Sequence, residues 1–298
     1  MLLSWTKPRI KGSLISLLAK YNARNGVFAI EIKSSVGLGA KLEWCLEILA
    51  YCHDNGLVPQ FKFSYPNSGK SEDYFGKFFK LKEIIDENKP VKFTTISSII
   101  DLNLGKDYDT ILNIELATYL IDKYLAVKQD VLGEVESFCH QHFANRRVLG
   151  VHYRGTDKTK ESPVVPYDTV KRNIEHYLKL RPETDSVFIA SDDINFIENM
   201  ERASVGRPII YRNDSLRSGD GNSIHESADT NKYEVNRDAI VNCFLLSRCD
   251  ALLKTASILS GWSKLFNPNL PVVVLNQPYE QWFPERDLIR ENLFEPVQ

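Results

Sequence analysis

Short runs of β-branched and aromatic residues recur along this chain, each followed by a longer stretch with helical periodicity. Gly26 to Ile32 reads as a strand. Lys41 to Asn55 reads as a helix with Leu42, Cys45, Leu46, Leu49 and Cys52 on one face and Asn55-Gly56 as its stop. Pro59 to Tyr65 is the next strand. The pattern restarts at Arg147. Strands are predicted over Arg147–Tyr153, Ser186–Ser191, Arg207–Tyr211, Ala251–Lys254 and Val272–Leu275. Helices are predicted between them over Pro166–Leu180, Ile194–Ala203 and Tyr233–Cys249, with a turn and helix over Thr255–Phe266. Repeated βα alternation implies parallel sheets covered by helices on both faces. We therefore expect an α/β chain of two domains facing a cleft, residues 1–145 and residues 146–298, with a C-terminal tail that could pack back on the first. Ligands of such sheets bind outside the carboxyl ends of the strands.

Other stretches are less legible. Tyr74, Phe75, Phe78 and Phe79 with Lys77, Lys80 and Lys82 suggest a helix lying on a sheet, and Ile114 to His142 reads as one or two helices. Asn213 to Lys232 is polar throughout and reads as a long loop, a kind that is commonly functional.

With 37 basic and 39 acidic side chains the chain lacks the basic excess of a general nucleic-acid binder. An anionic ligand must be held by a few local groups. No run of apolar residues is long enough to span a membrane. Met1 to Tyr21 is a poor signal peptide; it reads either as an ordinary helix packed on its own domain or as a basic amphipathic segment in weak peripheral contact with an anionic membrane. Cys45, Cys52, Cys139, Cys243 and Cys249 form no disulfide framework and suggest buried thiols in a reducing compartment, so a cytoplasmic location is expected.

Four features follow predicted strands: the Gly37-Leu38-Gly39 turn, the segment His152-Tyr153-Arg154-Gly155-Thr156-Asp157-Lys158, Ser191-Asp192-Asp193, and Thr255-Ala256-Ser257. Together they offer close backbone approach, a guanidinium, an ammonium, carboxylates and hydroxyls, the inventory for a pyrophosphate and a ribose. Arg154 supplies a fixed planar cation for a diphosphate leaving group, which gains negative charge as its bond to a sugar breaks. Lys158 adds a point charge; the alternative is an internal Arg154–Asp157 ion pair. The glycine turn could present helix N-terminal amides to phosphate or be a simple tight turn, since it lacks a full dinucleotide fingerprint. Of Asp192 and Asp193, one could accept ribose hydroxyls and the other cap the following helix. Asp107-Tyr108-Asp109 and Cys139-His140-Gln141-His142 resemble metal ligands but complete no ligand set, so no metal and no cofactor beyond the donor is expected.

The segment His152–Lys158 resembles the His-x-Arg-(Arg/Gly)-Thr-Asp-Lys motif of the α1,6-fucosyltransferases and the related nodulation fucosyltransferases. Phe188–Asp193, Phe244–Asp250 with Leu252–Ser257, and the Gly37-Leu38-Gly39 turn match that family in order and spacing, most clearly over Arg147 to Leu275. The resemblance implies the GT-B arrangement of two Rossmann-like domains, with residues 1–145 on the acceptor side and residues 146–298 binding the nucleotide sugar; it further implies GDP-fucose as donor, a glycan acceptor, inverting transfer and no metal. It places Arg154 on the β-phosphate and His152 on the guanine or ribose, with Asp157, Lys158, Asp192, Thr255 and Ser257 around the donor. It offers Glu161 as the base that takes the acceptor's proton, if one position of spacing is dropped. His225 resembles a loop histidine of the family.

One departure stands out. Asn242 occupies a position where relatives carry an aspartate against the guanine; Asp238, one helical turn earlier, is a candidate substitute. Another deoxysugar donor, rhamnosyl for example, and a module that binds a nucleotide sugar without catalysis are the alternative readings.

Overall fold

A computed structural model describes residues 7–66, 72–82, 91–155, 161–218 and 231–288. The chain divides into two compact units, Met1–Lys128 and Gln129–Gln298.

The first unit is built on a parallel three-stranded sheet with β1 (Val27–Lys33) between β2 (Val58–Ser64) and β4 (Thr94–Ile96). β1 is buried along nearly its whole length, as a parallel strand covered on both faces must be. Helix α1 (Lys7–Asn22) packs on β1 and β4, and α2 (Leu38–Asn55) packs on β2. α2 buries the predicted stripe Leu42, Cys45, Leu46, Leu49 and Cys52 and ends at Gly56, whose φ of 63° closes the helix through its N–H to the Cys52 and His53 carbonyls. The aromatic stretch divides into α3 (Tyr74–Phe78) and β3 (Phe79–Leu81). The predicted helical region from Ile114 divides likewise: after α4 (Tyr108–Ile111), α5 (Ile114–Tyr124) gives way to β5 (Leu125–Val127), which pairs antiparallel with β3.

The second unit starts with α6 (Gln129–His142), before residue 145, because that helix packs against α9 (Lys232–Ser247). Its parallel strands are β6 (Val148–Tyr153), β7 (Ser186–Ser191), β8 (Ile209–Ile210), β9 (Ala251–Lys254) and β10 (Val272–Val274). Their spatial order is β8-β7-β6-β9-β10. The chain winds outward from β6 to β8, then crosses back through α9 to lay β9 on the other side of β6. The β6–β9 pair is therefore the topological switch point of a doubly wound sheet. Gly150 permits that pairing, since a β-carbon there would lie 3.0 Å from the Cys249 Sγ and 3.3 Å from the Ala251 carbonyl.

Helices α7 (Tyr167–Leu180) and α8 (Ile194–Ala203) cover one face, burying Val170, Ile174, Tyr177, Phe196, Ile197 and Met200 against Leu149, Val151 and Tyr153. Helix α10 (Ile258–Phe266) packs on α9. The tail helix α11 (Glu285–Leu288) is fixed to this unit by a fully buried ion pair between Glu285 and Lys254 of β9. Such a pair stabilises mainly by position, because breaking it would leave one charge buried alone.

The first unit also buries a charge. Lys41 of α2 is fully buried, donates to the Ser64 carbonyl at 2.9 Å and lies 3.5 Å over the Tyr65 ring. Burial pulls its ammonium down to about 7 from an ordinary 10.5. The unfolded chain keeps this proton up to the higher value, so between about pH 7 and 10.5 unfolding takes up a proton. The Lys41 contribution to stability is least favourable below about 7 and improves as pH rises through that window. Urea unfolding of the parent and of Lys41→Met should show the methionine variant favoured most at neutral pH and the difference shrinking in alkali. A difference independent of pH would contradict this.

Candidate active site

The carboxyl ends of β6 and β9 are joined by two hydrogen bonds. The Thr255 N–H donates to the His152 carbonyl at 3.0 Å, and the Arg154 N–H donates to the Thr255 Oγ1 at 2.9 Å. The arginine backbone is thus set by a buried threonine of the neighbouring strand end. Its side chain is 19% exposed, with Nε 3.8 Å from an Asp192 Oδ2 that is itself on a 22% exposed side chain. The other Asp192 oxygen accepts from the Gly155 N–H at 3.3 Å. Gly155 has no room for a side chain: a β-carbon would meet the Asp193 Oδ2 and the Tyr153 ring, each at 2.7 Å.

The two aspartates after β7 divide their work. Asp193 caps α8, accepting from the Asn195 and Phe196 N–H groups at 3.0 and 3.4 Å. Its other oxygen accepts from the Tyr167 hydroxyl at 2.5 Å. Asp192 is the one beside Arg154 and Gly155. Burial, then the Asp193 and Asp192 carboxylates, pushes the Tyr153 phenol up to about 12, so it stays a donor to the Val165 carbonyl at 3.0 Å. Tyr153 also stacks on Phe196 with ring centroids 4.2 Å apart, fixing the strand end from below.

Glu161 is exposed, and its loop is anchored through the backbone. Its carbonyl accepts from the Tyr279 N–H at 2.8 Å. Asn276 donates to the Ser162 Oγ and the Pro163 carbonyl, and its own Oδ1 accepts from the Ala256 N–H at 2.7 Å. Asn276 thereby clips the Glu161 loop to the Thr255-Ala256-Ser257 turn. It escaped the sequence reading although it lies just past the last strand, where the strand-end rule would have found it. Ser257 is buried at the N-cap position of α10, where its side chain makes no capping bond.

Asn242 sits in a second cluster. Arg212, 5% exposed, bonds Glu134, Asp214 and Asp238 at 2.7, 3.0 and 2.9 Å. The Ser215 hydroxyl gives its only proton to Asp238 at 2.8 Å and accepts from the Asn242 Nδ2 at 3.2 Å. That order of donors orients the amide and turns its carbonyl oxygen away from Ser215. Asp238 is committed to Arg212 and Ser215, and burial raises its carboxyl, so the idea that it replaces the missing carboxylate gains no support from its contacts. The loop joins the clusters, because the Ser218 N–H donates to the Asp192 carbonyl at 2.8 Å.

Gly37 and Gly39 belong to the first unit. Helix α2 begins at Leu38, so Gly39 lies inside its first turn and not in a glycine loop. Gly37 precedes it with a φ of -64° and open space around its missing β-carbon, so neither strain nor crowding demands glycine there. Asp157, Lys158 and His225 lie outside the described residues. Asp107 caps α4 through the Thr110 N–H. Among the described residues no group of three His, Cys, Asp or Glu side chains is placed to hold a metal ion.

Gly155→Ala should force Asp193 or Tyr153 to move and lower stability by about 1–3 kcal/mol, the usual cost of overpacking. Chemical denaturation checks this; an unchanged midpoint would show that the Arg154–Gly155 turn is not held as described.

No protein-family model and no curated protein sequence matches the chain. Among solved structures, it is similar to a mutant of Arabidopsis thaliana FUT1 in complex with GDP, at 12% identity over 91% of this chain and 76% of that one, with a TM-score of 0.51. Fucosyltransferase NodZ from Bradyrhizobium aligns at 13% identity over 82% and 93%, with a TM-score of 0.47. POFUT1 in complex with GDP aligns at 11% identity over 83% and 98%, with a TM-score of 0.48. At such identities the likeness speaks to fold. The chain is a mixed α/β protein with parallel sheets and the GT-B fold of fucosyltransferases.

Proposed function

We propose that this chain is a glycosyltransferase that moves fucose from GDP-fucose to a glycan acceptor, with inversion and without a metal. The observation that carries the proposal is Arg154 at the switch point of the second sheet, its backbone fixed by Thr255 and its guanidinium partly exposed beside Asp192. A crevice at that point is where doubly wound sheets take nucleotides. The motif around Arg154 and the fucosyltransferase fold agree on the ligand class.

In this reading Arg154 accepts the charge that develops on the β-phosphate as the fucosyl bond breaks. His152 contacts the nucleoside, and Asp192 takes a ribose hydroxyl while holding Arg154 in place. Asp157, Lys158, His225 and Ser257 complete the proposed donor contacts. Glu161, held by Tyr279 and the Asn276 clip, removes the proton of the acceptor hydroxyl as that oxygen attacks the anomeric carbon from the face opposite the diphosphate. The carbonyl oxygen of Asn242, turned away from Ser215, accepts from a base N–H. A guanine edge offers two such donors and a pyrimidine edge one, so the Asn242 amide leaves the base preference to be measured.

Calorimetric titration with GDP-fucose, with and without EDTA, should give the same binding heat in both. Arg154→Ala should lose transfer by about 10²–10³-fold, and Arg154→Lys should not restore it, because an ammonium cannot present the planar fork. Glu161→Gln should lower kcat by about 10²–10⁴-fold with little change in donor affinity. No heat with GDP or GDP-fucose would sink the proposal. A Glu161→Gln variant of full activity would move the base elsewhere.

A further inference from the structure

Helix α1 is packed with its faces reversed. Its inward side is made of small residues: Ser16 and Ala19 are buried, Ala23 just beyond is buried, and Gly12 lies 4.0 Å from the Asp101 backbone by its absent β-carbon. Its outward side carries the large ones. Leu14, Leu17, Leu18 and Tyr21 are 68%, 63%, 42% and 59% exposed. Their spacing of three, four and seven puts them on one stripe. A helix that folds only for its own domain buries its leucines and exposes its small residues; here the reverse holds over more than two turns.

The charge around the stripe identifies what covers it. Lys7, Arg9, Lys11, Lys20 and Arg24 fall within this helix and the turn after it, and no acidic residue precedes Glu31. Lys20 and Arg24 are exposed, and the Arg24 guanidinium lies 4.6 Å over the Tyr21 ring at the end of the stripe. An aromatic ring with a cation above it, next to exposed leucines, suits the boundary between acyl chains and anionic headgroups. No helix among the described residues is long and apolar enough to cross a membrane, so contact would be in the plane of the surface.

We infer that α1 is a membrane-docking helix that lays Leu14, Leu17, Leu18 and Tyr21 into a bilayer carrying anionic headgroups, with Lys20 and Arg24 on those headgroups. This inference is independent of the reaction proposed above.

Co-sedimentation of the full chain with vesicles tests it. The parent should pellet with phosphatidylcholine–phosphatidylglycerol vesicles and stay in solution with phosphatidylcholine alone. The double variant Leu14→Ser/Leu17→Ser should weaken binding at least about tenfold, since two exposed leucines no longer enter the acyl region. Lys20→Gln/Arg24→Gln should weaken it about fivefold per charge, and added salt should act the same way. Circular dichroism and melting should be unchanged in the leucine variant, because Leu14 and Leu17 are exposed; Lys20 also donates to the Asn103 carbonyl at 3.5 Å, so Arg24→Gln alone checks that the charge effect does not come from losing that bond. The inference is overturned if the parent ignores anionic vesicles, or if the leucine variant binds them as the parent does. It is equally overturned if sedimentation velocity shows a dimer that the leucine variant dissociates while no form binds vesicles, which would make a second copy the occupant.

Discussion

The hydrogen bond from the Arg154 N–H to the Thr255 hydroxyl joins two strand ends that are far apart in sequence and adjacent only because the chain reverses its winding between them. Everything proposed for the second unit depends on that reversal. β6 is central because β7 and β8 were laid on one side and β9 and β10 on the other. A parallel sheet wound this way cannot cover the carboxyl ends of β6 and β9 with its own crossover helices, which leave in opposite directions. The polar backbone there must find partners in side chains, and Thr255, Asp192 and Asn276 provide them.

That arrangement separates holding from doing. Asp193 and Tyr167, with Tyr153 stacked on Phe196, form a rigid floor in which each polar atom named has a near partner. Arg154 and Asp192 lie beside it with part of their surface open, and Glu161 is exposed. Arg212 plays the corresponding supporting part for Asn242, through Asp238 and Ser215, and ties α6, α9 and the loop after β8 into one network. A buried guanidinium with three carboxylate partners is costly to desolvate and tolerates little change in their positions. That makes it a device for fixing geometry more than for adding stability.

How much of this was legible in the sequence depended on the range of the forces involved. The stripe of α2 follows from periodicity alone and is buried as read. The strand ends of the second unit were found because β-branched runs stop at charged residues. β3 and β5 were not, since strands of three residues exist only through each other and no local pattern announces the pairing. Gly39 reads as part of a turn because a helix start and a glycine turn look alike, and the helix begins three residues before Lys41. In α1 the sequence left two readings open, and only the burial of Ser16, Ala19 and Ala23 decides which side faces in. The choice between Asp192 and Asp193 likewise needed the cap geometry of α8.

The central claim is that the crevice between β6 and β9 is where the nucleotide diphosphate sits. Hydrogen–deuterium exchange of the full chain with and without GDP tests it most directly, because it reports location whether or not turnover is detected. The account predicts slowed exchange concentrated at residues 152–155 and 254–257, with a smaller effect at the amides around Asp192. Protection confined to other segments, under conditions where calorimetry shows GDP bound, would contradict it.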